Sequence, residues 1–329
     1  RVQSVAVRLV VEREKEIEAH IPDESWSVVG RFTLDSSSTE SLTTKWNEFI
    51  DTNDERGKGP TRKQLNTFLS DHGGFEATLV KVNGEPFKIA RAADCDDNIE
   101  SHKTRLLEVG KAIGLDNPCI TVEEYEERKG PAKQCITLDG TVADGVSYKI
   151  KDITQKDNSI RPPAPFITSS LQASASTALG FGAKRTMRAA QGLYEAGSIT
   201  YMRTDSTHLS GDALQSVRTY IGNKFGDAYL PEKPNFYTSA NKDAQEAHEA
   251  IRPTDAGLHP ETLPAKLDED QRRLYALIWA RFVACQMNPA RWHRTEIFFE
   301  RDDENTGAVF KVGGRTLAFD GFYKASGIP

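Results

Sequence analysis

Pro162, Pro163 and Pro165 divide this sequence of 329 residues into regions of different character. Proline lacks a backbone N–H and fixes φ, so a run of prolines interrupts both helices and strand pairing. Before the run, β-rich stretches are separated by glycine-containing turns; after it the pattern is helical and then returns to β at 292–323. The sequence therefore predicts an α+β fold of more than one domain, with a helical domain inserted into a β-rich one.

The elements predicted before the proline run are one long helix, followed by strands with shorter helices between them. Residues 2–20 carry apolar side chains at helical spacing, with charged residues between them. Asn83-Gly84 is a typical two-residue hairpin turn. Strands are expected at 27–34, 76–82, 87–90 and 146–153, and helices at 61–72, 98–115 and 121–128.

After the proline run, the sequence predicts a series of helices and then a second β-rich region. Thr168 or Ser169 can cap the first of these helices, and Gly197 ends the second. Gly313-Gly314 is expected to form a hairpin turn. The helices are expected at 168–179, 183–196, 212–225, 244–251 and 268–285, and the strands at 295–299, 308–312 and 315–319.

The charge of the chain is uneven. Its formal net charge of −6 is unfavourable for a protein that binds nucleic acid. Between positions 184 and 203, however, Lys184, Arg185, Arg188 and Arg203 are accompanied by only one acidic residue, Glu195. This predicts a local positive field, although Lys184 and Arg185 are individually as consistent with a solvated helix face.

Hydropathy and cysteine spacing exclude other classes of protein. No apolar run approaches the roughly 20 residues that span a bilayer, and the first residues lack the pattern of a signal peptide. The cysteines have no Cys-x-x-Cys spacing, so neither a zinc module nor a disulfide framework is expected. We expect Cys95, Cys119, Cys135 and Cys285 to be small buried or half-buried residues in a reducing cytoplasm. Because the sequence opens within a helix and without methionine, we expect it to be part of a longer protein.

Tyr201 and Arg203 point most directly to chemistry. They lie in the sequence Ile-Thr-Tyr-Met-Arg-Thr-Asp-Ser at 199–206. An activated tyrosine hydroxyl can attack phosphorus and form a covalent ester, and arginine can hold the non-bridging oxygens. In an extended segment, two-residue spacing puts both side chains on one face. For an isolated tyrosine, burial in a core beside an arginine would be the favoured interpretation.

A second motif surrounds His248, in the sequence Glu-Ala-His-Glu-Ala-Ile-Arg-Pro at 246–253. On the predicted helix, His248 and Arg252 are one turn apart and can contact phosphate together. The zinc-protease pattern is excluded because Arg252 replaces its second histidine. The alternative is a histidine hydrogen-bonded within a helical core.

These motifs resemble those of the type IA DNA topoisomerases, and most closely those of the bacterial members. Several long motifs occur in the order that the family shows, which chance would not produce. The resemblance is close over roughly 1–30 and 160–290 and weak between 31 and 160. The stretches that carry it are 1–8, 163–172, 193–206, 244–253 and 277–287.

The resemblance implies a β-rich arch that carries a helical tyrosine domain. It assigns 1–22 to a helix of the family's fourth domain, 23–162 and 288–329 to the arch, and 163–287 to the tyrosine domain. It also implies an isomerase that relaxes negative supercoils without ATP. In that reaction Tyr201 cleaves one DNA strand through a 5′-phosphotyrosine link, a strand passes, and the break is resealed.

The resemblance also implies roles for the residues around the tyrosine, with Arg203 and His248 holding the phosphate. From the residues alone, Glu195 is equally an ordinary last-turn residue and Asp205 is equally a helix cap, whereas helix capping is the favoured interpretation for Thr168. The residues expected to bind DNA or to support the site are Glu195, Thr200, Asp205, Arg252, Thr168, Gln172, Lys184, Arg185 and Arg188.

The family's Mg²⁺ site lies on a separate Toprim domain, which is not recognisable in this sequence. Asp94 and Asp96 have the Asp-x-Asp spacing of such a site, but a solvated loop is the expected structure there. We therefore expect Mg²⁺ to be held outside this chain and residues 1–329 alone to be inactive or nearly so. The expected partners are DNA, preferably single-stranded, and the missing Toprim and fourth-domain segments, in the bacterial cytoplasm at the nucleoid and without a membrane.

Two other functions are consistent with parts of the sequence. A non-catalytic module could bind single-stranded DNA through basic and aromatic side chains. A tyrosine recombinase uses the same residue types, but its tyrosine follows a His-x-x-Arg element. Here Tyr201 precedes His248 and the His-to-Arg spacing is four, so order and spacing disfavour a recombinase.

Overall fold

The chain forms two compact units in a computed structural model that describes residues 2–21, 23–53, 57–91, 99–237, 248–303 and 307–328. Unit 1 comprises residues 1–154 and 295–314, and unit 2 comprises 155–294 and 315–329. Helices and antiparallel strands occur together, which confirms the α+β class. The assignment of segments to the family's individual domains stays a prediction.

Unit 1 combines helices with short antiparallel sheets. Its helices are α1 (Val2–Ala19), α2 (Thr39–Ile50), α3 (Arg62–Asp71) and α4 (Ile99–Ala112). Its strands are β1 (Glu24–Ser25), β2 (Val29–Thr33), β3 (Gly74–Val82), β4 (Glu85–Pro86), β5 (Ala90–Arg91), β6 (Leu115–Glu124) and β7 (Gln134–Val142).

Three further strands have residues in both units. They are β8 (Tyr148–Ile160), β9 (Ala290–Arg301) and β10 (Ala308–Phe319). The sheet that contains them has the strand order β2, β3, β10, β9, β8, with β4 paired to β3. In unit 1 its core is aromatic: the rings of Phe32 and Phe310 lie 5.2 Å apart between centroids, and those of Phe75 and Phe299 lie 5.4 Å apart.

The hairpin predicted at Asn83-Gly84 is confirmed. Val82 pairs with Glu85, and Asn83 and Gly84 have φ values of 51° and 85°. A two-residue turn with both central residues in the left-handed region matches the right-handed twist of the strands it joins. Asparagine and glycine tolerate that conformation, which is why the sequence signal was specific.

Two predictions for the β-rich regions are wrong. Residues 121–128 do not form a helix, because β6 extends to Glu124 and its backbone pairs with β7 from Cys119↔Asp139 to Glu124↔Gln134. Strand pairing in the folded chain therefore overrides the local helical appearance of a charged segment. Gly313-Gly314 is not a turn, since both glycines lie inside the continuous strand β10 without a left-handed φ.

Unit 2 is mainly helical and has the larger hydrophobic core. Its helices are α5 (Thr168–Leu179), α6 (Ala183–Glu195), α7 (Gly211–Phe225), α8 (Glu269–Cys285) and α9 (Tyr323–Ser326). Leu274, Ile278 and Phe282 recur every four residues on α8 and are fully buried. Asp268 caps this helix by accepting from the Gln271 N–H, and the Gln271 side-chain oxygen accepts in turn from the Asp268 N–H.

The helix ends on either side of Tyr201 differ in how well the sequence predicted them. Gly197 follows the Ala196 cap of α6 and adopts a φ of 71°, as expected of a helix stop. Neither Thr168 nor Ser169 caps α5, because the non-helical cap position belongs to Ile167. Asp205 does not cap α7 either, since the Ser210 side chain accepts from the Ala213 N–H.

The cysteines differ sharply in exposure. Cys285 is fully buried at the end of α8, and its burial raises the pKa of the thiol to about 12. Cys119 and Cys135 are exposed, so the prediction of buried or half-buried cysteines is wrong for these two. Cys95 lies outside the described residues.

We expect alkylation with iodoacetamide at pH 8 to modify Cys119 and Cys135 in the native protein and to spare Cys285. Only the thiolate reacts quickly, and a buried thiol with a raised pKa supplies almost none. Peptide mass spectrometry after timed quenching measures each site separately. Denaturation in guanidinium chloride should remove the protection of Cys285, and equal modification of the three thiols in the native protein would contradict the structure.

Candidate active site

Tyr201 lies on an irregular, extended segment between α6 and α7 in unit 2. Its side chain is 45% exposed, which excludes the alternative of a tyrosine buried in the core. Exposure alternates along the segment: Tyr201, Arg203 and Asp205 are exposed, whereas the intervening residues are buried. The alternation places these three side chains on one side of the chain, as two-residue spacing in an extended segment requires.

Thr200 fixes the segment immediately before Tyr201. Its N–H donates to the Arg252 carbonyl (2.9 Å), and its hydroxyl donates to the Ala250 carbonyl (2.7 Å) and accepts from the Arg252 N–H (3.0 Å). An antiparallel bridge joins Ile199 to Pro253. Thr200 therefore joins the segment that carries Tyr201 to the segment that follows His248, through hydrogen bonds within the protein.

Thr168 fixes the segment immediately after Tyr201. Its hydroxyl donates to the Met202 carbonyl (2.8 Å) and accepts from the Thr204 N–H (2.9 Å), and its own N–H donates to the Thr204 carbonyl (2.9 Å). These bonds hold the backbone on both sides of Arg203. The predicted contact of Thr168 with DNA stays a prediction, but the structure adds a bracing role that sequence patterns did not reveal.

Arg203, Asp205 and His248 meet at one cleft of about 610 Å³. The first two come from the segment after Tyr201, and His248 comes from the segment that Thr200 holds. Thr168 and Gln172 approach from the start of α5. Tyr201 lies outside the cleft lining. The residues that line this cleft are Ile167, Thr168, Ser169, Gln172, Arg203, Thr204, Asp205 and His248.

Tyr194 is a neighbour of Tyr201 that the site prediction missed. The two rings meet edge to face, with centroids 5.3 Å apart and planes at 68°. Tyr194 is itself 42% exposed, so an aromatic pair faces solvent here. The adjacent Glu195 accepts a hydrogen bond from the Gln191 amide (2.7 Å), an i,i+4 contact typical of the last turn of a helix.

The helix predicted at 244–251 is wrong where the structure describes it, from 248 onward. Residues 248–250 have no regular secondary structure, and Ile251 forms a bridge to Phe166. The N–H groups of Ala250 and Ile251 donate to the carbonyls of His208 and Phe166, both at 2.8 Å, instead of to the preceding turn. Bonds between distant segments have replaced the helical ones.

Because residues 248–251 do not form a helix, His248 and Arg252 do not share a helix face as expected and have different surroundings. His248 is exposed and lines the cleft. The Arg252 guanidinium instead donates to Glu249 (2.7 Å) and to the Pro253 carbonyl (2.9 Å), so its charge is already paired. The expectation that both contact phosphate together loses its structural basis.

Glu249 is a second residue that the site prediction missed. Its carboxylate accepts from the Ser210 N–H (2.8 Å) and from Arg252. Burial by itself would raise the pKa of Glu249, but the hydrogen bonds from Ser210 and Arg252 outweigh it and lower the pKa. Glu249 and Arg252 have the i,i+3 spacing of a helical pair, but no spacing rule connects either of them to Ser210, so only the fold could reveal the contact with the start of α7.

The basic residues of α6 are not equivalent. Arg185 makes a two-pronged contact with Asp270, with Nε–Oδ2 and Nη2–Oδ1 distances of 2.7 and 2.6 Å. This hydrogen bonding lowers the pKa of Asp270. Lys184 and Arg188 are exposed on the same helix. The local positive field is therefore weaker than the sequence count indicated, because Asp270 offsets one of its charges.

The described residues do not offer a magnesium site. Among them, no three or more His, Cys, Asp or Glu side chains cluster closely enough to hold a metal ion. The cleft supplies one carboxylate, Asp205, beside the cation Arg203. Mg²⁺ favours several oxygen ligands in octahedral geometry, which this set does not provide. Asp94 and Asp96 lie outside the described residues.

None of the described helices is both long and apolar enough to cross a membrane.

An exposed tyrosine and arginine on a braced segment, inside an α+β chain, agree with the class expected from the motifs. The model of a family described as DNA topoisomerase matches residues 121–328, more than half of the chain. The chain therefore belongs to the DNA topoisomerase family. Its resemblance to the type IA class is confirmed by its bacterial relatives and by the structural match.

Several similar proteins come from bacteria. The chain is 40% identical to DNA topoisomerase 1 of Haemophilus influenzae and 38% identical to that of Escherichia coli, in both cases over 98% of this chain and 28% of the relative. It is 49% identical to DNA topoisomerase 1 of Campylobacter jejuni over 55% of this chain and 26% of that protein. The solved structure of full-length topoisomerase I from Thermotoga maritima aligns with a TM-score of 0.57 and 25% identity, over 100% of this chain and 40% of that one.

Replacing Thr168 with valine should lower the free energy of unfolding by about 1–3 kcal/mol, because Met202 O and Thr204 N lose a partner beside buried residues. Urea unfolding followed by tryptophan fluorescence measures the change. Thr168→Ser keeps the hydroxyl and should lose much less. Thr177→Val is the matched control on α5, since that exposed hydroxyl bonds only within its own helix. Equal losses in Thr168→Val and Thr177→Val would contradict the bracing role.

Replacing Glu249 with glutamine should destabilise the protein at neutral pH but not in acid. The pKa of Glu249 is lower in the folded chain than its ordinary value of 4.5. Its stabilising contribution is therefore complete above pH 4.5 and is lost as the pH falls through the folded value. Urea unfolding of the parent protein and of Glu249→Gln should be measured from neutral pH into acid. The difference between their free energies of unfolding should shrink as the pH falls, and a difference that grows in acid would contradict the assignment.

Proposed function

We propose that Tyr201 is the nucleophile that cleaves one DNA strand in a type IA topoisomerase reaction. The observation that carries this proposal is the exposure of Tyr201 on a braced segment, with Arg203 on the same side of the chain. Both flanks of the pair are anchored by threonine hydroxyls. A tyrosine held this way can meet a phosphodiester without rearranging the backbone, which lowers the entropy cost of attack.

The proposed step exchanges one phosphate ester for another. A bond forms between the Tyr201 oxygen and phosphorus, and the bond from phosphorus to the 3′-oxygen breaks. The phenolic proton is lost and the 3′-oxygen gains a proton, leaving a 5′-phosphotyrosine and a free 3′-hydroxyl. Attack by that hydroxyl reverses the step and reseals the strand. The ester bond energy is retained, so no ATP is needed to relax a negative supercoil.

Arg203 and His248 are proposed to hold the phosphate, since a guanidinium and an imidazole N–H both donate to phosphate oxygens. Both side chains reach the same cleft, which supports their acting together. Gln172 and Thr168 line the same cleft and are proposed to contact the strand, and Asp205 to orient Arg203. Arg252 takes no direct part in this scheme, because it is paired with Glu249.

Glu195, Lys184, Arg185 and Arg188 are proposed to support the site or the bound strand from α6. Lys184 and Arg188 are exposed and available to the DNA backbone. Arg185 would have to exchange Asp270 for phosphate. These contacts predict binding to single strands that weakens as the salt concentration rises.

Magnesium and its ligands are proposed to lie outside this chain, in agreement with the poor fit of the described residues to such an ion. The curated relatives are much longer than the region that they share with this chain. We propose that Toprim and fourth-domain segments complete the site and that residues 1–329 alone are inactive or nearly so. The expected setting is the bacterial cytoplasm at the nucleoid.

Replacing Tyr201 with phenylalanine should abolish covalent capture of DNA and leave non-covalent binding almost unchanged. The assay uses the complete polypeptide that contains this chain, Mg²⁺ and a single-stranded oligonucleotide labelled at one end. On a denaturing gel, the 3′-end label should migrate with the protein and the 5′-end label should be released on a shorter fragment. Tyr194→Phe makes the same chemical change at the neighbouring exposed ring and should retain the adduct.

An adduct that survives in Tyr201→Phe, or a 5′-end label that remains with the protein, would overturn the assignment. Binding without any adduct in the unsubstituted protein would instead favour a non-catalytic single-strand-binding module.

A further inference from the structure

We propose that Glu249 is a positioning residue for His248: its carboxylate fixes the segment that carries His248 against the segment that carries Tyr201. The inference rests on the proposed function of these two residues. Glu249 would touch neither the DNA nor the reacting atoms. It would act by supporting a junction of two irregular segments that the isolated Ile199↔Pro253 bridge and the hydrogen bonds between Thr200 and Arg252 also join.

Both oxygens of the Glu249 carboxylate are engaged in contacts within unit 2. Oε1 accepts from the Ser210 N–H at 2.8 Å, where α7 begins, and Oε2 accepts from Arg252 Nη2 at 2.7 Å. Hydrogen bonds between charged partners are stronger than neutral ones and more sensitive to geometry. The carboxylate therefore connects the start of α7 to the segment around Arg252.

The same arginine connects Glu249 to the nucleophile. The Arg252 backbone exchanges hydrogen bonds with Thr200, at 2.9 Å through the Thr200 N–H and at 3.0 Å through its hydroxyl. Thr200 directly precedes Tyr201 in the chain. A continuous set of contacts thus runs from Glu249 through Arg252 and Thr200 to Tyr201.

His248 depends on Glu249 because the two residues are adjacent and residues 248–250 form neither helix nor strand. Because residues 248–250 lack the regular hydrogen bonds of a helix or strand, the contacts of the neighbouring residues set the direction of the His248 side chain. Ala250 is anchored through its N–H to the His208 carbonyl at 2.8 Å, and Glu249 is anchored through its carboxylate. Loss of the second anchor frees the backbone that aims His248 into the cleft.

Direct binding of DNA by Glu249 is disfavoured by charge and by contacts. A carboxylate repels the phosphate backbone, and both of its oxygens already accept hydrogen bonds. Stability alone is the remaining alternative. A purely structural residue would affect the site without regard to whether His248 is present, and this difference separates the two roles.

The test is a double-mutant cycle on the complete polypeptide that contains this chain. Glu249→Gln keeps the side-chain size but removes the charge, and His248→Ala removes the group to be positioned. Single-turnover formation of the Tyr201 adduct is measured at a saturating concentration of single-stranded oligonucleotide. We expect Glu249→Gln to slow adduct formation on the order of tenfold in the parent protein and to cause almost no further loss in His248→Ala.

Oligonucleotide affinity should change by less than roughly twofold in Glu249→Gln, because a positioning residue that does not touch the strand affects the chemical step instead of binding. Glu261→Gln is the matched control: it makes the same change at a side chain that is 87% exposed, and it should leave the rate unchanged. If Glu249→Gln does not fold, Glu249→Asp keeps the charge but shortens the reach, and the same dependence on His248 is expected.

An equal loss of rate with and without His248 would overturn the positioning role while leaving the proposed function intact. The same holds for a loss confined to oligonucleotide affinity. Failure of the proposed function would look different, since the parent protein would then form no adduct that depends on Tyr201.

Discussion

The pairing between Thr200 and Arg252 is the interaction on which the candidate site depends. Residues 200–206 have no regular secondary structure, so their geometry must come from bonds to other segments. The Ile199↔Pro253 and Phe166↔Ile251 bridges place the 251–253 segment between two others. Tyr201 and His248 are more than forty positions apart in sequence. The hydrogen bonds between Thr200 and Arg252 nevertheless join the two segments that carry them.

Hydroxyl groups do much of this holding, and their chemistry explains why. A threonine hydroxyl can donate and accept at once, so Thr168 and Thr200 each satisfy a carbonyl and an N–H that a helix or sheet would otherwise pair. The exposed side chains between them remain available for substrate. The arrangement combines a rigid backbone with accessible functional groups, which is the usual requirement for a preorganised site.

Charge pairing decides which cations remain available. The sequence offers a cluster of arginines near Tyr201, but Arg252 is paired with Glu249 and Arg185 with Asp270. Arg203 instead stays exposed, lining the cleft with His248. Because Arg252 and Arg185 pair with carboxylates of the protein while Arg203 lines the cleft, composition alone overstates the positive field around the site.

The sequence by itself determined the α+β class, the helices α3, α5, α6, α7 and α8 to within a few residues, the Asn83-Gly84 hairpin, and the shared face of Tyr201 and Arg203. Each of these follows from local periodicity, caps or turn chemistry. Only the tertiary structure decided that 121–124 is a strand, that 248–251 is not a helix, and that Thr168 and Glu249 brace the site. These features rest on hydrogen bonds between residues far apart in the chain, whose energy exceeds the small local preferences that a sequence pattern records.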